Sequence, residues 1–449
     1  MSSYWHQAQA LGRGTAAADP THERAAYGSA QPRPYLAASQ AAARSDGEME
    51  AEERAVVWEV AQPGGADAAI EPPSGDACAA QLRIPKVALM FLTRGVLHHE
   101  AAWALWFAHA RGLLPAALLR ARGCEPRLLA SLASTCGAAA SPRLLKQQHL
   151  FSVYVHVGAN DARFAGFPED SLFHGTDIKE RVHVSWGTFA LVDATRALLR
   201  AALQDPANQR FVLLSESGVP LYPPAATHQQ LLAERRSRIN ACANPGEERN
   251  LHRWLGKMES DKLKREHWRK SSQWMVLTRE HAVLAVNDTE IAERFRLYCL
   301  PTFREGWWRD CYSDEHYFAT LLAAEGRDAE TDCRGYAVHV DWSRMGEHPR
   351  AFEPREISSA RLRLLRAPTE GCRYPATIST ADAQFVPADA LGLVGSQVCT
   401  APAPPPYASS ALRPQCPLFA RKFAPHTAPA VLAAFADCAN GLRIANDGC

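Results

Sequence analysis

Three apolar runs, each closing in a short polar loop, constrain this chain more than any other feature. KVALMFLTRG begins at Lys86, FSVYVHVGAND at Phe151 and RFVLLSESGVPLY at Arg210. Each is a β-branched, aromatic and leucine-rich run of strand length, stopped by Gly, Ser, Asn or Asp. A strand with no polar alternation is one covered on both faces, the usual condition of parallel sheets. Between the first two runs, Glu100 to Leu119 and Pro126 to Leu132 read as helices, and FALVDATRALLRAALQ ahead of the third has apolar residues at helical spacing. Strand, helix, strand in this order predicts an α/β fold with a mostly parallel central sheet, flanked by helices and joined by right-handed crossovers. Ligands of such sheets bind beyond the carboxyl ends of the strands, so the loops after Val157 and Leu214 should face one shared site.

The flanks read differently. Residues 1–80 are rich in Ala, Gly, Pro and charge without a sustained apolar period, which predicts a disordered N-terminal extension. Order is expected from near Ile84, in one domain of about 81–440. A Pro/Ala-rich loop at about 375–414 would precede CPLFARKF and a closing helix from about Ala428. Lys and Arg number 49 against 48 Asp and Glu, a net charge of +1, and no long basic block occurs. No nucleic-acid partner is expected on that ground.

AAWALWFAHARGLLPAALL, from Ala101, is interrupted by His109, Arg111 and Pro115 and falls short of the roughly 20 apolar residues of a membrane span. The first residues, MSSYWHQAQALGRG, lack the apolar core of a secretory signal. Cysteines such as Cys299, Cys311, Cys333, Cys372, Cys399 and Cys416 can pair in an oxidising lumen, and none has CxxC metal spacing. The sequon Asn287, Asp288, Thr289 is compatible with glycosylation there.

Two places carry candidate chemistry. Asp314 and Glu315 in SDEHYFATLL either charge the N-terminus of a helix or supply a general base, Glu315 being the better candidate. Arg421 and Lys422 follow the apolar CPLFA and are either edge-strand charges or a clamp on a diphosphate leaving group. The D-x-D expected of a metal-dependent nucleotide-sugar enzyme is absent, since the loop after VLL reads Ser215, Glu216, Ser217 with a single carboxylate. Asp328, Glu330 and Asp332 read as a solvated loop. P-loop, dinucleotide-fingerprint and nucleophile-elbow motifs are also missing. Tryptophans at 186, 254, 268, 274, 307, 308 and 342 lie among polar residues, and one or two can form a platform for a sugar ring, a role suited to Trp274.

Read together, KVALMFLTRG, SVYVHVG, VSWGTFALVDATRALLRAALQDPANQRFVLLSESGVPLY, HWRKSSQWMVLTRE, CYSDEHYFATLL, HVDWSRMGEHPRAF and CPLFARKFAP resemble the core-2/I-branching β-1,6-N-acetylglucosaminyltransferase family, most closely its plant and algal branch. The resemblance runs over about residues 84–436. It implies a GT-A-like nucleotide-sugar-binding fold and an inverting, metal-independent transfer from a UDP-sugar, with GlcNAc or a relative as the sugar and a glycan or glycoprotein as acceptor.

On this resemblance the catalytic base falls on Glu315 and the diphosphate-binding Lys on Lys422, with Arg421 beside it. The donor's uridine would lie at the strand end Val155, His156, Val157 and at the segment Gly175, Thr176, Asp177. Arg253 fits a basic acceptor position. A second phosphate-binding Arg would fall near Arg413. No metal and no other cofactor is implied. The resemblance also implies the Golgi lumen or membrane, although no anchor is visible here. The chain departs from the plant branch at Met345 and Glu347, where that branch tends to have Gly and Pro. A catalytically silent sugar- or nucleotide-sugar-binding protein of the same fold is the alternative, favoured if His316 or Met345 blocks the acceptor's approach.

Overall fold

The computed structural model describes residues 85–110, 113–115, 149–161, 164–243, 247–304, 307–333, 337–344, 348–366, 385–387 and 416–436. All lie in the unit Glu71–Cys449. The expected N-terminal extension, the helix expected at 126–132 and most of the loop expected at 375–414 lie outside the described residues.

In chain order the elements are β1 (Lys86–Thr93), α1 (Glu100–Ala108), β2 (Leu113–Pro115), β3 (Phe151–Val157), α2 (Ala190–Leu203), β4 (Asn208–Ser215), β5 (Val219–Pro220) and α3 (Pro224–Ala233). There follow β6 (Val276–Thr278), α4 (Arg279–Asn287), α5 (Glu290–Tyr298), β7 (Pro301–Arg304), β8 (Trp307–Asp310), α6 (Ser313–Ala324), β9 (Val338–Val340), α7 (Ser359–Arg366), β10 (Phe385–Pro387), β11 (Phe419–Arg421) and α8 (Ala428–Phe435). The central sheet has the order β3-β1-β4-β6; β3, β1 and β4 are parallel, and β6 runs antiparallel to β4.

Every residue of β1 is buried, as a run without alternation requires. Val87, Leu89 and Phe91 enter one core with α1, α3, α7 and α8, whereas Ala88, Met90 and Leu92 enter a second with α2, α4, α5 and α6. The period of two along one strand thus divides the protein into two helical layers.

A smaller sheet, β5-β11-β9, carries β11 back to the carboxyl end of β4, with β11 antiparallel to β5 and parallel to β9. Aromatic packing anchors it. Trp103 and Trp106 of α1 lie edge-on to each other, Trp103 also meets Phe91 and Phe419, and both indoles donate into the chain after β4, to Gly218 O at 3.3 Å and Tyr222 O at 2.8 Å. A buried indole with a satisfied N–H fixes position as well as adding apolar area.

The helix expected over Glu100 to Leu119 stops at Ala108. His109 caps it, and Leu113–Pro115 instead pairs antiparallel with Phe385–Pro387, with a proline that a helix interior does not tolerate. Among the described residues no helix is long and apolar enough to cross a membrane. Disulfides join Cys299 to Cys311 and Cys242 to Cys333.

Candidate active site

The carboxyl ends of β1 and β4 and the end of β11 bring three cations to one acid. Arg94, directly after β1, lies 3.2 Å from Glu216, directly after β4, and the fields of Arg421, Arg94 and Glu216 all act on Lys422. Burial, followed by the charges of Arg421 and Arg94, pushes the Lys422 ammonium down from the usual lysine range. Burial also pushes Arg421 down to about 10, against the opposing pull of Glu216. Among the described residues three cations share one carboxylate, a surplus of positive charge that an anion would relieve. The Arg94 side chain is 90% exposed, and an ion pair of that kind contributes under about 1 kcal/mol, so its exchange for another anion costs little.

The backbone holds this cluster from several sides. Phe352 N donates to Lys422 O and Phe423 N donates to Ser217 O, both at 3.0 Å, while His99 Nε2 meets Phe423 O at 3.1 Å. Phe352 and Phe423 stack with centroids 4.9 Å apart. Arg421 lies over the ring of Trp274 at 4.5 Å, and its Nε makes no hydrogen bond. Trp274, the expected sugar platform, therefore has one ring face occupied by Arg421 and serves as the floor beneath that guanidinium.

Glu315 stands in the first turn of α6. The Cys299–Cys311 disulfide closes the β7–β8 hairpin immediately before this helix, and Ser313 Oγ donates to Cys299 O at 2.9 Å. Glu315 O accepts from Ser271 N at 2.8 Å, which brings Lys270 Nζ to 3.1 Å from Glu315 Oε2. Arg253 Nη1 reaches the same oxygen at 3.5 Å, and the Glu315 side chain remains 30% exposed.

His316 lies inward, fully buried and stacked on Trp268 at 4.4 Å, so it does not block an approach to Glu315. Burial holds it well below the usual histidine range. A neutral ring with Nδ1–H donating to Arg269 O at 2.6 Å leaves Nε2 to accept from Arg253 Nη1 at 3.2 Å. Asp314 faces the interior with Oδ1 unpaired, and burial, then the charge of Glu315, raise its pKa to about 7.

The expected uridine segments meet. Val155 N donates to Thr176 O, and Ile178 N donates to Val155 O, each at 2.9 Å, so 176–178 forms a parallel bridge beside β3 between Val155 and Asp177. Gly175 makes the preceding turn at φ +70. The side chains of Val155, His156 and Val157 are buried, and His156 Nε2 accepts from Val182 N at 2.9 Å. The exposed polar edge here is therefore the loop after β3. Arg181 ties that loop, donating to Val157 O, Gly158 O and Asp161 O at 2.8–3.0 Å. Asn160 and Val184 exchange two further hydrogen bonds.

Arg94, Lys270 and Arg181 were not singled out from sequence. Arg94 follows a strand in the same manner as the loops that were, and that position was the available signal. Arg413, Met345 and Glu347 lie outside the described residues. Among the described residues no three His, Cys, Asp or Glu side chains gather in a group that could hold a metal ion.

A family model, Core-2/I-Branching enzyme, matches residues 140–366, just over half of the chain. The chain belongs to the core-2/I-branching enzyme family. Its α/β sheet with helices on both faces is the GT-A-like fold of that family. Within the core-2/I-branching match lie Glu315, Lys270, Arg253 and the 155–177 bridge, while Arg94, Arg421 and Lys422 fall outside it. The chain is also similar to Glycosyltransferase BC10 of Oryza sativa subsp. japonica, 31% identical over 238 residues. That alignment covers 48% of this chain and 58% of the rice protein's length.

Proposed function

We propose that this protein is an inverting glycosyltransferase that moves a sugar, GlcNAc or a close relative, from a UDP-sugar to a hydroxyl of a glycan or glycoprotein. Glu315 takes the proton of the acceptor hydroxyl as that oxygen forms its bond to the anomeric carbon. The bond from that carbon to UDP breaks on the opposite face. Lys422, Arg421 and Arg94 receive the negative charge that gathers on the departing diphosphate. Cations in this role do the work a divalent metal does elsewhere, and the reading is of a metal-independent transfer.

The observation that carries this reading is the segment from Lys270 to Trp274. At one end Lys270 meets Glu315, and at the other Trp274 lies beneath Arg421. Four residues reach at most about 14 Å, a span suited to the distance between a leaving diphosphate and an attacked sugar carbon's far side. Family membership and the similarity to a rice glycosyltransferase support sugar transfer as the reaction class.

Arg253 would act on the acceptor side, beside Glu315. The uridine would lie along the loop after β3 and the 175–184 segment, ordered by Arg181. The disulfides Cys242–Cys333 and Cys299–Cys311 and the exposed sequon residue Asn287 support work in an oxidising, glycosylating compartment, with the Golgi lumen and its membrane as the proposed location.

A panel of UDP-sugars incubated with purified protein, in EDTA and in Mn²⁺, tests the reading. UDP release from one donor that persists in EDTA is the expected result. Release only with Mn²⁺ would overturn metal independence. UDP binding with no release, across donors and glycan acceptors, would favour the silent binding protein.

A further inference from the structure

Trp186 is a large aromatic residue that is left half-exposed, at 51%, against Tyr312, three residues before the candidate base. It stands in a turn closed by Thr188 N and Thr188 Oγ1, both donating to Ser185 O, at 3.3 and 2.8 Å. The next residue, Gly187, has φ +78, the value a type II turn demands at its third position. A Cβ on Gly187 would meet Tyr312 Cδ1 at 2.9 Å and Pro301 Cγ at 3.3 Å, so glycine also permits the close approach that seats the turn on Tyr312. The Trp186 ring then lies 4.8 Å from the ring of Tyr312 and 5.6 Å, edge to face, from His348. Two segments distant in the chain thus support one exposed indole.

The polar surroundings are those of the proposed reaction. Arg253 lies with Cζ 5.4 Å from the centre of the Tyr312 ring and Nη1 3.5 Å from Glu315 Oε2. Glu315 N in turn donates to Tyr312 O at 3.2 Å. An aromatic face with hydrogen-bonding groups at its rim suits a hexopyranose, whose axial C–H groups form a flat apolar face while its hydroxyls point outward. Trp274 has a face covered by Arg421, whereas Trp186 has no cation on it among the described residues.

We propose that Trp186, backed by Tyr312, is the stacking platform for a hexopyranose ring of the acceptor glycan and holds a neighbouring hydroxyl toward Glu315. The identification of Glu315 as the base is taken from the proposed function, but saccharide stacking on Trp186 can be measured without turnover.

The test is saturation-transfer NMR on the full chain with UDP present, using soluble β-linked galacto-, gluco- and xylo-oligosaccharides as probes, together with calorimetric UDP binding. Wild-type protein should transfer saturation to axial ring protons of at least one probe. Trp186→Ala should weaken that saccharide about three- to tenfold, the range of aromatic stacking, and Trp186→Phe should restore part of the loss. Neither variant should change UDP affinity or, at an exposed position, the thermal midpoint. Equal saccharide binding by Trp186→Ala, or no binding of any probe by wild type, would overturn the platform. A loss of UDP affinity instead would overturn it in favour of stacking on the donor's uracil. Saccharide binding that depends on Trp186 in a protein that fails to bind UDP would keep the platform and reject the transferase reading.

Discussion

The cluster around Lys422 and the cluster around Glu315 are made of the same charges in opposite proportions. In the first, Arg94, Arg421 and Lys422 share the single carboxylate of Glu216. In the second, Lys270 and Arg253 both lie on one oxygen of Glu315, with the half-buried Asp314 beside it in the chain. Surplus positive charge suits the reception of an anion, whereas a carboxylate steered by two cations suits a fixed direction of proton removal. The clusters also differ in what anchors them. Main-chain hydrogen bonds between strand ends hold the first, and a disulfide-closed hairpin leading into a helix holds the second. Each should therefore fail separately.

The largest separate failure should come from the disulfide. Cys299→Ser should lower stability by about 2–4 kcal/mol, as expected for a short closed loop. Denaturant unfolding would measure the loss, and donor turnover should fall while UDP affinity of the folded fraction stays near wild type. Lys422→Ala should do the reverse, raising the UDP dissociation constant about 10- to 30-fold in calorimetry, the range of a charge-assisted contact, without moving the unfolding midpoint. An unchanged constant would remove Lys422 from the phosphate site.

Asp314 gives a smaller effect that depends on pH. Its pKa is raised in the fold to about 7, so between the unfolded value near 4 and that point the folded chain binds the extra proton. Stability from this group is therefore lost as pH rises through that window. Asp314→Asn should raise the thermal midpoint at pH 8 by about 2–4 °C over wild type and by less at pH 5. Burial lowers His156 and His228 to about 4 and acts in the opposite direction, removing stability as pH falls below 6.5. That contribution is common to both proteins and cancels in the difference. Arg94→Ala should have the least effect, a two- to fivefold loss of UDP affinity that shrinks with added salt, since the side chain is solvated.

What could be read from the sequence follows from the range of the interactions. β1, β3 and β4 were legible because a strand buried on both faces writes its environment into consecutive residues. The end of α1 was not, because Leu113–Pro115 is fixed by pairing with residues far away in the chain. Local sequence left the roles of Glu315 and Lys422 open and only the family resemblance singled them out, while their partners Lys270 and Arg94 were singled out by neither. Lys270 reaches Glu315 through the main-chain bond from Ser271 to Glu315, and Arg94 is a lone cation whose meaning depends on Glu216 and Lys422 folding beside it. The tryptophans show the same limit. Spacing leaves open which tryptophan forms a platform, Trp274 being only suited to it, and the contact from Arg421 reveals one face of Trp274 as occupied and directs attention to Trp186.

The central claim, that binding the leaving group and removing the acceptor's proton belong to different clusters, is tested most directly on Glu315→Gln. UDP affinity and donor turnover should be measured on the same preparation. The account predicts UDP affinity within about twofold of wild type and turnover reduced by about 10²–10⁴, the contribution of a general base. Turnover retained in Glu315→Gln, or lost in step with UDP affinity, would contradict it.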